Sequence, residues 1–377
     1  VRLRILAIAL FCLVAGWLVF SSTQRNGGDF TYPLDDTYIH LAVAKNLASS
    51  GVWGITPDHF ASCTSSVSWP LALAALGAAM FWGEWLPLIL NLILGVIVLV
   101  LVDRGLREQA VGSLVRTGVL AGFVMVIPLS VLAVVGLEHV AQIAFALALL
   151  RWGVEMIDGP DPGTQRVGRG FVLAILLVAT RFEGLFLVAS IAWLLQRRGR
   201  RRIALQLALA GALPVVGFGL ISIALGGRFL PTPVWMKGKL GSELLPALLA
   251  APSDPGQWVQ LLIDFLILSP LRSLAEVGAL SWLALLALAR LIWTRTQGTR
   301  LVGLWIVLAT TWMHLVFART GWLGRYEAWL IAMLAVSLAP FAQELFDGGR
   351  RQRWPVRLVA VALLLVFGLF PVRARVA

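Results

Sequence analysis

The sequence predicts an all-α polytopic membrane protein, and three observations carry that prediction. Apolar runs of 16 residues or more recur from one end of the chain to the other, 59% of its residues are hydrophobic while only 13% are charged, and mean hydropathy is +0.87. Runs of this kind suit helices in a bilayer, where each backbone polar group must find its partner within the helix. A soluble chain carries about a quarter of its residues as charges, roughly twice the share present here. The 31 Lys and Arg against 19 Asp and Glu leave a net charge of +12. In a membrane protein that excess is explained by arginine in cytoplasmic loops, and it does not point to nucleic acid. Cys12 falls in the first apolar run and Cys63 in a polar loop, so neither a disulfide between them nor a metal-ligand spacing is expected.

Each apolar run was then assigned in chain order. Ile5 to Phe20 follows Arg2 and Arg4 and is followed by no small-x-small cleavage motif, so it reads as a retained first helix with its amino end inside. Val67 to Trp82 is 16 residues long and interrupted by Pro70 and Gly77. It falls short of the roughly 20 residues a crossing needs and is expected in the outer interface. Phe171 to Leu195 is broken by Thr180, Arg181, Glu183 and Gly184, and reads as two short helices that meet at the outer face. With these two assignments the clusters Arg104–Arg116, Arg151–Arg169, Arg197–Arg202, Arg290–Arg300 and Arg350–Arg357 all fall inside, about two thirds of the 31 basic residues. Letting 67–82 span would put the same majority outside, against the bias that orients membrane proteins.

The outcome is about eleven transmembrane helices, near 5–21, 86–102, 114–133, 137–150, 169–180, 184–196, 203–225, 274–292, 301–318, 327–345 and 357–370, with the carboxyl end outside. Residues 1–377 then form a single transmembrane domain. Its first extracytoplasmic loop, 22–84, carries interfacial helices, and a second large outward loop covers 226–273. The expected location is the bacterial inner (plasma) membrane, multi-pass, with the N-terminus cytoplasmic and the working face outside.

The outward segments hold the residues able to do chemistry. Asp35 and Asp36 open DDTYIHLAVAKNLASSG, where Tyr38, Leu41, Ala42 and Lys45 share one side at helical spacing, as in an amphipathic interfacial helix. An aspartate at such a start caps the first turn, and a carboxylate there also suits a general base for an acceptor hydroxyl. Both roles fit the pair. VGLEHVAQ places Glu138 and His139 at a span boundary, and ATRFEG places Arg181 and Glu183 at the apex of the helical hairpin. Charges at such depth are costly unless paired or functional. Arg181 with Glu183 accordingly reads either as an ion pair holding the hairpin or as part of a site. GGRFLPTPVWMKGKL carries Arg228, Lys237 and Lys239, and GRYEAW carries Arg325 and Tyr326. Cations near the headgroup plane either anchor to ordinary lipid or hold the phosphate of a lipid substrate.

Taken in order, DDTYIHLAVAKNLASSGVWGITP, GLE, TRFEG, FLPTPVWMK and GRYE resemble the GT-C glycosyltransferases that use polyprenyl-phosphate sugars. The likeness is to the arabinofuranosyltransferase branch, and more distantly to protein mannosyltransferases and lipid A aminoarabinose transferases. It covers nearly the whole chain. The resemblance implies a GT-C-like bundle and a hexosyl- or pentosyltransferase of the cell envelope. Its catalytic aspartate would be Asp35 or Asp36, with Asp35 preferred, and its donor phosphate would be held by Lys237, Arg325, Arg181 and Arg228. Tyr38, Glu138, His139, Glu183 and Tyr326 would complete the substrate contacts.

The implied partners are a polyprenyl-phosphate sugar donor, a glycan, lipid or protein hydroxyl acceptor, and membrane lipid. No cofactor and no catalytic metal are expected, because a hydroxyl acceptor with a carboxylate base does not require one. Asp35, Asp36, Glu138 and Glu183 are the carboxylates that would gather a divalent ion. Two features depart from the pattern. TRFEG lacks the proline that relatives often carry before the glutamate, and many relatives continue into a soluble outward domain where seven residues follow Phe370 here. The rival reading is a flippase or transporter of polyprenyl-linked lipid or sugar, which would place ionisable groups at mid-membrane. Here 86–102 carries none, and 357–370 carries only Arg357 at its first position. A non-catalytic lipid-binding or assembly subunit is the third reading, and it would tolerate loss of the aspartate pair.

Overall fold

The apolar periodicity of the chain becomes helix almost everywhere. The computed structural model describes residues 2–79, 82–159, 163–250, 255–293, 299–321 and 324–348, and among them there is no strand. The predicted span 357–370 and the basic cluster 350–357 lie outside the described residues. In order, the helices are α1 (Arg2–Arg25), α2 (Asp35–Ser50), α3 (Ser68–Ala79), α4 (Trp85–Glu108), α5 (Ser113–Met125), α6 (Leu129–Val135), α7 (His139–Asp158), α8 (Thr164–Thr180), α9 (Gly184–Arg197) and α10 (Arg201–Ala224). They continue with α11 (Thr232–Lys237), α12 (Leu245–Leu249), α13 (Pro255–Ile263), α14 (Ser269–Glu276), α15 (Gly278–Trp293), α16 (Thr299–Phe317) and α17 (Ala328–Gly348). Two π-helical turns, Leu240–Leu244 and Asp264–Leu268, join α11 to α12 and α13 to α14.

The protein is an all-helical, multi-pass membrane protein. Among the described residues seven segments are long and apolar enough to cross a bilayer: Arg2–Arg25, Trp85–Glu108, Ser113–Val135, His139–Asp158, Arg201–Ala224, Gly256–Glu276 and Ala328–Asp347. Four apolar helices are shorter, namely Ser68–Ala79, Gly184–Arg197, Gly278–Ile292 and Leu301–Phe317. The segment expected as a span at 114–133 falls within the crossing candidate Ser113–Val135, which is interrupted between α5 and α6. Pro128 explains the break, since its ring removes a backbone donor and clashes with the preceding turn. The segment 226–273 is mostly helix, where the sequence had suggested a loop, and its second half supplies the apolar stretch Gly256–Glu276. The sequence PGQWVQLLIDFLILS has the apolar content of a membrane helix, interrupted by the lone charge Asp264.

Packing centres on α7, which is buried along most of its length and touches α4, α8, α9, α16 and α17. Two ends of the bundle differ in chemistry. Around the C-terminal part of α7, Arg151 pairs with Glu108 at 2.5 Å and Glu155 at 2.8 Å, while the buried Asp103 takes Arg107 at 2.8 Å and Arg116 at 3.2 Å. The N-terminus of α7 lies among the candidate site residues. There α2 and α3 pack together, with Ala44, Trp69, Leu73 and Ala74 in a small core that Leu86 and Ala141 complete.

Close helix approach within lipid depends on small residues, and the contact of α1 with α4 is such a case. A methyl group on Gly95 would stand 2.3 Å from the Phe11 ring, which is fully buried, whereas one on Gly105 of the same helix would meet nothing within 4 Å. Gly95→Ala is therefore expected to destabilise by about 1–3 kcal/mol through overpacking. Gly105→Ala is expected to stabilise by up to about 1 kcal/mol through helix propensity. Thermal unfolding of the two variants in detergent checks the contrast: Tm falls for the first and does not fall for the second.

Candidate functional site

The site begins with a three-residue turn. Gly136 ends α6 in the left-handed region at φ 78°, and a side chain there would collide with the Tyr32 ring at 2.4 Å and with Thr37 at 2.8 Å. Three carbonyls freed by the end of α6 receive side-chain donors: Thr37 Oγ1 to Val135 O at 2.7 Å, Trp69 Nε1 to Gly136 O at 3.2 Å and Asn91 Nδ2 to Leu137 O at 2.9 Å. Helices α2, α3 and α4 thus hold the turn from three sides. Its last residue, Glu138, is fully buried at the N-terminus of α7.

Glu138 meets the tip of the α8–α9 hairpin. Arg181 Nη1 donates to Glu138 at 2.9 Å and Nη2 to Glu183 at 2.7 Å, and Arg181 itself is only 7% exposed. Ser65 Oγ donates to Glu138 at 3.2 Å, and His40 Nε2 lies 3.8 Å from it. Burial pushes the Glu138 carboxyl up, but His40 and Arg181 outweigh burial and hold it at about 2. Glu183 behaves alike: burial raises it, and Arg181 brings it below the usual carboxylate range. Both carboxylates are ionised at neutral pH, and Arg181 is cationic. The tail of the first loop locks onto the same hairpin, with Val67 N–H donating to Ala179 O at 2.9 Å and Ser68 bonded to Thr180 at 3.0 Å.

A second cation approaches from the segment before α17. Arg325 Nη2 donates to the Tyr326 hydroxyl at 2.9 Å and to Asp36 Oδ2 at 3.4 Å. The Tyr326 ring lies between two guanidiniums, 4.8 Å from Arg325 and 5.3 Å from Arg181, and the edge of His139 faces it at 6.0 Å. Asp36, Ser65, His139, Arg181, Glu183, Arg325 and Tyr326 border one cavity of about 330 Å³, with Arg319 at its rim. The rest of its wall is apolar, from Leu185, Phe186, Val215, Leu230, Val234 and Phe317.

The aspartate pair divides its labour. Asp36 lines the cavity, whereas Asp35 is exposed, lies outside the lining, and accepts the Asp36 N–H at 2.9 Å in the first turn of α2. Tyr38 does not reach the cavity either. Its hydroxyl accepts the Tyr32 N–H at 3.0 Å and its ring packs against Tyr32 at 5.8 Å, fixing the approach to α2. Arg228 is exposed, does not line the cavity, and contributes its carbonyl to Ser222 Oγ at 2.6 Å. Lys237 closes α11, and its side chain lies outside the described residues.

Arg319 and His40 join the site, and Glu327 is buried next to Tyr326 in the chain; none of the three was singled out from the sequence. Each carried a signal: Arg319 opens the segment that contains Arg325, His40 stands one helical turn from Asp36, and Glu327 ends GRYE. Among the described residues no three His, Cys, Asp or Glu side chains stand together as a metal-holding group. No protein-family profile, curated protein or solved structure matches the chain.

Glu327 gives the fold a pH dependence. One of its oxygens accepts the Gly321 N–H at 2.6 Å and the other has no hydrogen-bond partner among the described residues, and burial pushes the carboxyl up to about 7 from the usual 4.5. A folded value above the unfolded one means stability that is complete below pH 4.5 and lost as pH rises through 7. The loss is on the order of 3 kcal/mol at most. Tm of the wild type is expected to fall between pH 5 and pH 8 by more than that of Glu327→Gln, which keeps the acceptor for Gly321 and cannot ionise. Parallel pH profiles for the two proteins would remove Glu327 as the cause.

Proposed function

We propose that this protein is a membrane glycosyltransferase that moves a sugar from a polyprenyl-phosphate donor to a hydroxyl acceptor, of the GT-C kind its motifs resemble. One observation carries the reading: the Asp36 carboxylate and the Arg325 guanidinium border the same cavity, whose remaining wall is largely apolar. A polyprenyl-phosphate sugar needs these three things together, a cation for its phosphate, a carboxylate for the incoming hydroxyl and an apolar path for its tail.

The chemistry follows from that arrangement. Asp36 accepts the proton of the acceptor hydroxyl, the acceptor oxygen bonds to C1 of the donor sugar, and the bond from C1 to the phosphate oxygen breaks with its electron pair on the phosphate. The configuration at C1 inverts, because the nucleophile enters opposite the leaving group. Charge grows on the departing phosphate, and Arg325 with Arg319 at the rim offsets it most in the transition state. Arg181 acts through position. Fixed by Glu138 and Glu183, it holds the Tyr326 ring on which Arg325 rests. Asp36 replaces Asp35 as the preferred base, and Asp35 serves the first turn of α2. The working face is assigned to the outer side of a bacterial plasma membrane by the distribution of basic residues.

Transfer from a short-chain, radiolabelled polyprenyl-phosphate pentose or hexose by the purified protein tests the assignment. Asp36→Asn is expected to lower turnover by about 10²–10⁴, while Asp35→Asn stays within a few-fold of wild type. Arg325→Ala is expected to lower kcat and kcat/KM together, as for a charge needed in the transition state. Near-native turnover of Asp36→Asn would dismiss the base, and product with retained configuration would dismiss direct displacement. Movement of the labelled lipid across proteoliposomes without any transfer would favour the flippase.

A further inference from the structure

A second and larger space, of about 1000 Å³, adjoins the first across the segment 235–244. Trp235, Gly238 and Gly241 line the smaller cavity, and their neighbours Met236, Lys239 and Ser242 line the larger one. The chain from the end of α11 through the first π-helical turn is therefore the partition, and Arg319 borders both spaces. Lys239, only 6% exposed, secures it by donating to Ser269 Oγ at 3.1 Å, Ser273 Oγ at 2.7 Å and the Leu315 carbonyl at 2.9 Å.

The larger wall is about half polar and half apolar, and its charges balance. Glu243, Asp264 and Glu276 stand with Lys239, Arg272 and Arg319 around it. Gln257, Gln260 and Asp264 form one stripe at helical spacing along a segment whose other faces, at Trp258, Val259, Leu262 and Ile263, are exposed and apolar. Both π-helical turns contribute to the wall, the first through Glu243 and the second through Asp264. A π-helical turn departs from the regular ladder and recurs at functional sites.

We propose that this cavity binds the acceptor and that the acceptor is an uncharged, hydroxyl-rich glycan. The inference rests on the glycosyltransferase reading and narrows it. A second anionic lipid would meet three carboxylates, and an acyl chain would strip water from carboxylates and amides without replacing their hydrogen bonds. Sugar hydroxyls both donate and accept, so they satisfy carboxylates, amides and guanidiniums alike. The volume stands at the upper end of the roughly 300–1000 Å³ found for small-ligand pockets, which suits an oligosaccharide. Its reacting hydroxyl passes the shared Arg319 edge toward Asp36.

Binding to the full chain in nanodiscs separates this claim from the donor reading. The probes are neutral trisaccharides built of pentose or hexose units, and a short-chain polyprenyl phosphate, each followed by saturation-transfer NMR and titration calorimetry. The wild type is expected to bind at least one trisaccharide. Asp264→Asn and Gln260→Ala are each expected to weaken that binding about tenfold, the scale of a lost hydrogen bond to a charged or well-placed polar group. Asp36→Asn keeps it. Gln260 is exposed, so its variant tests the site even where Asp264→Asn fails to fold. The polyprenyl phosphate is expected to show the reverse pattern, weakened by Arg325→Ala and retained by Gln260→Ala. No trisaccharide binding by the wild type, wild-type binding by both stripe variants, or preference for phosphorylated trisaccharides would overturn the proposal. Trisaccharide binding with the expected pattern but no polyprenyl phosphate binding would leave a glycan site standing and refute the donor reading.

Discussion

Everything at the site end of this bundle depends on Arg181 being buried between two carboxylates. A guanidinium taken out of water into an apolar surrounding costs several kcal/mol, and a single partner often fails to recover that cost. Here Glu138 at 2.9 Å and Glu183 at 2.7 Å share it, from different parts of the chain. Glu183 is local and needs only the hairpin turn. Glu138 is distant, so satisfying Arg181 requires the α6–α7 turn to come down onto the α8–α9 tip. The carbonyls of Val135, Gly136 and Leu137 there take their donors from the side chains of Thr37, Trp69 and Asn91. One buried charge thereby fixes how α2, α3, α4, α7, α8 and α9 meet.

Much of this architecture was legible in the sequence, and particular residues show why the rest was not. The α8–α9 hairpin was visible because TRFEG sets three polar residues amid apolar ones, and α3 because sixteen interrupted apolar residues are too few to cross. The break at Pro128 had its residue in plain view, but hydropathy passes smoothly through proline. The helices within 226–273 were hidden by their punctuation, since Pro231, Pro233, Pro246, Pro255 and Pro270 suggest a loop. In the fold Pro233, Pro246 and Pro270 stand in first turns, where a missing N–H costs nothing.

The candidate site was legible as a set and not as roles. Asp36, Glu138, His139, Arg181, Glu183, Arg325 and Tyr326 converge, because charges kept at the ends of apolar helices have few places to go but toward one another. Which aspartate faces inward could not be read, since adjacent helical residues point about 100° apart and only the orientation of α2 decides between them. Tyr38 and Arg228 were drawn to the site by residue type, and packing gave them other duties. Arg319 needed the fold, because its importance lies in bordering two spaces that sequence does not represent.

The proposed chemistry also makes sense of why Arg325 rests against the carboxylate it is to work beside. Around the smaller cavity the three arginines Arg181, Arg319 and Arg325 stand with the three carboxylates Glu138, Glu183 and Asp36, so these charges balance. A lipid phosphate entering that balance takes a cation that already has a partner. At 3.4 Å the Arg325–Asp36 contact is longer than either contact of Arg181, and both of its residues border the cavity. The phosphate can take over that guanidinium while Arg181 stays locked between its two buried carboxylates. Asp36 then loses a cation partner at the moment the donor is seated, and its oxygens turn to the acceptor hydroxyl. In the proposed reaction two arginines of equal formal charge thus divide the work: the one buried between two carboxylates holds the frame, and the one beside Asp36 takes the phosphate.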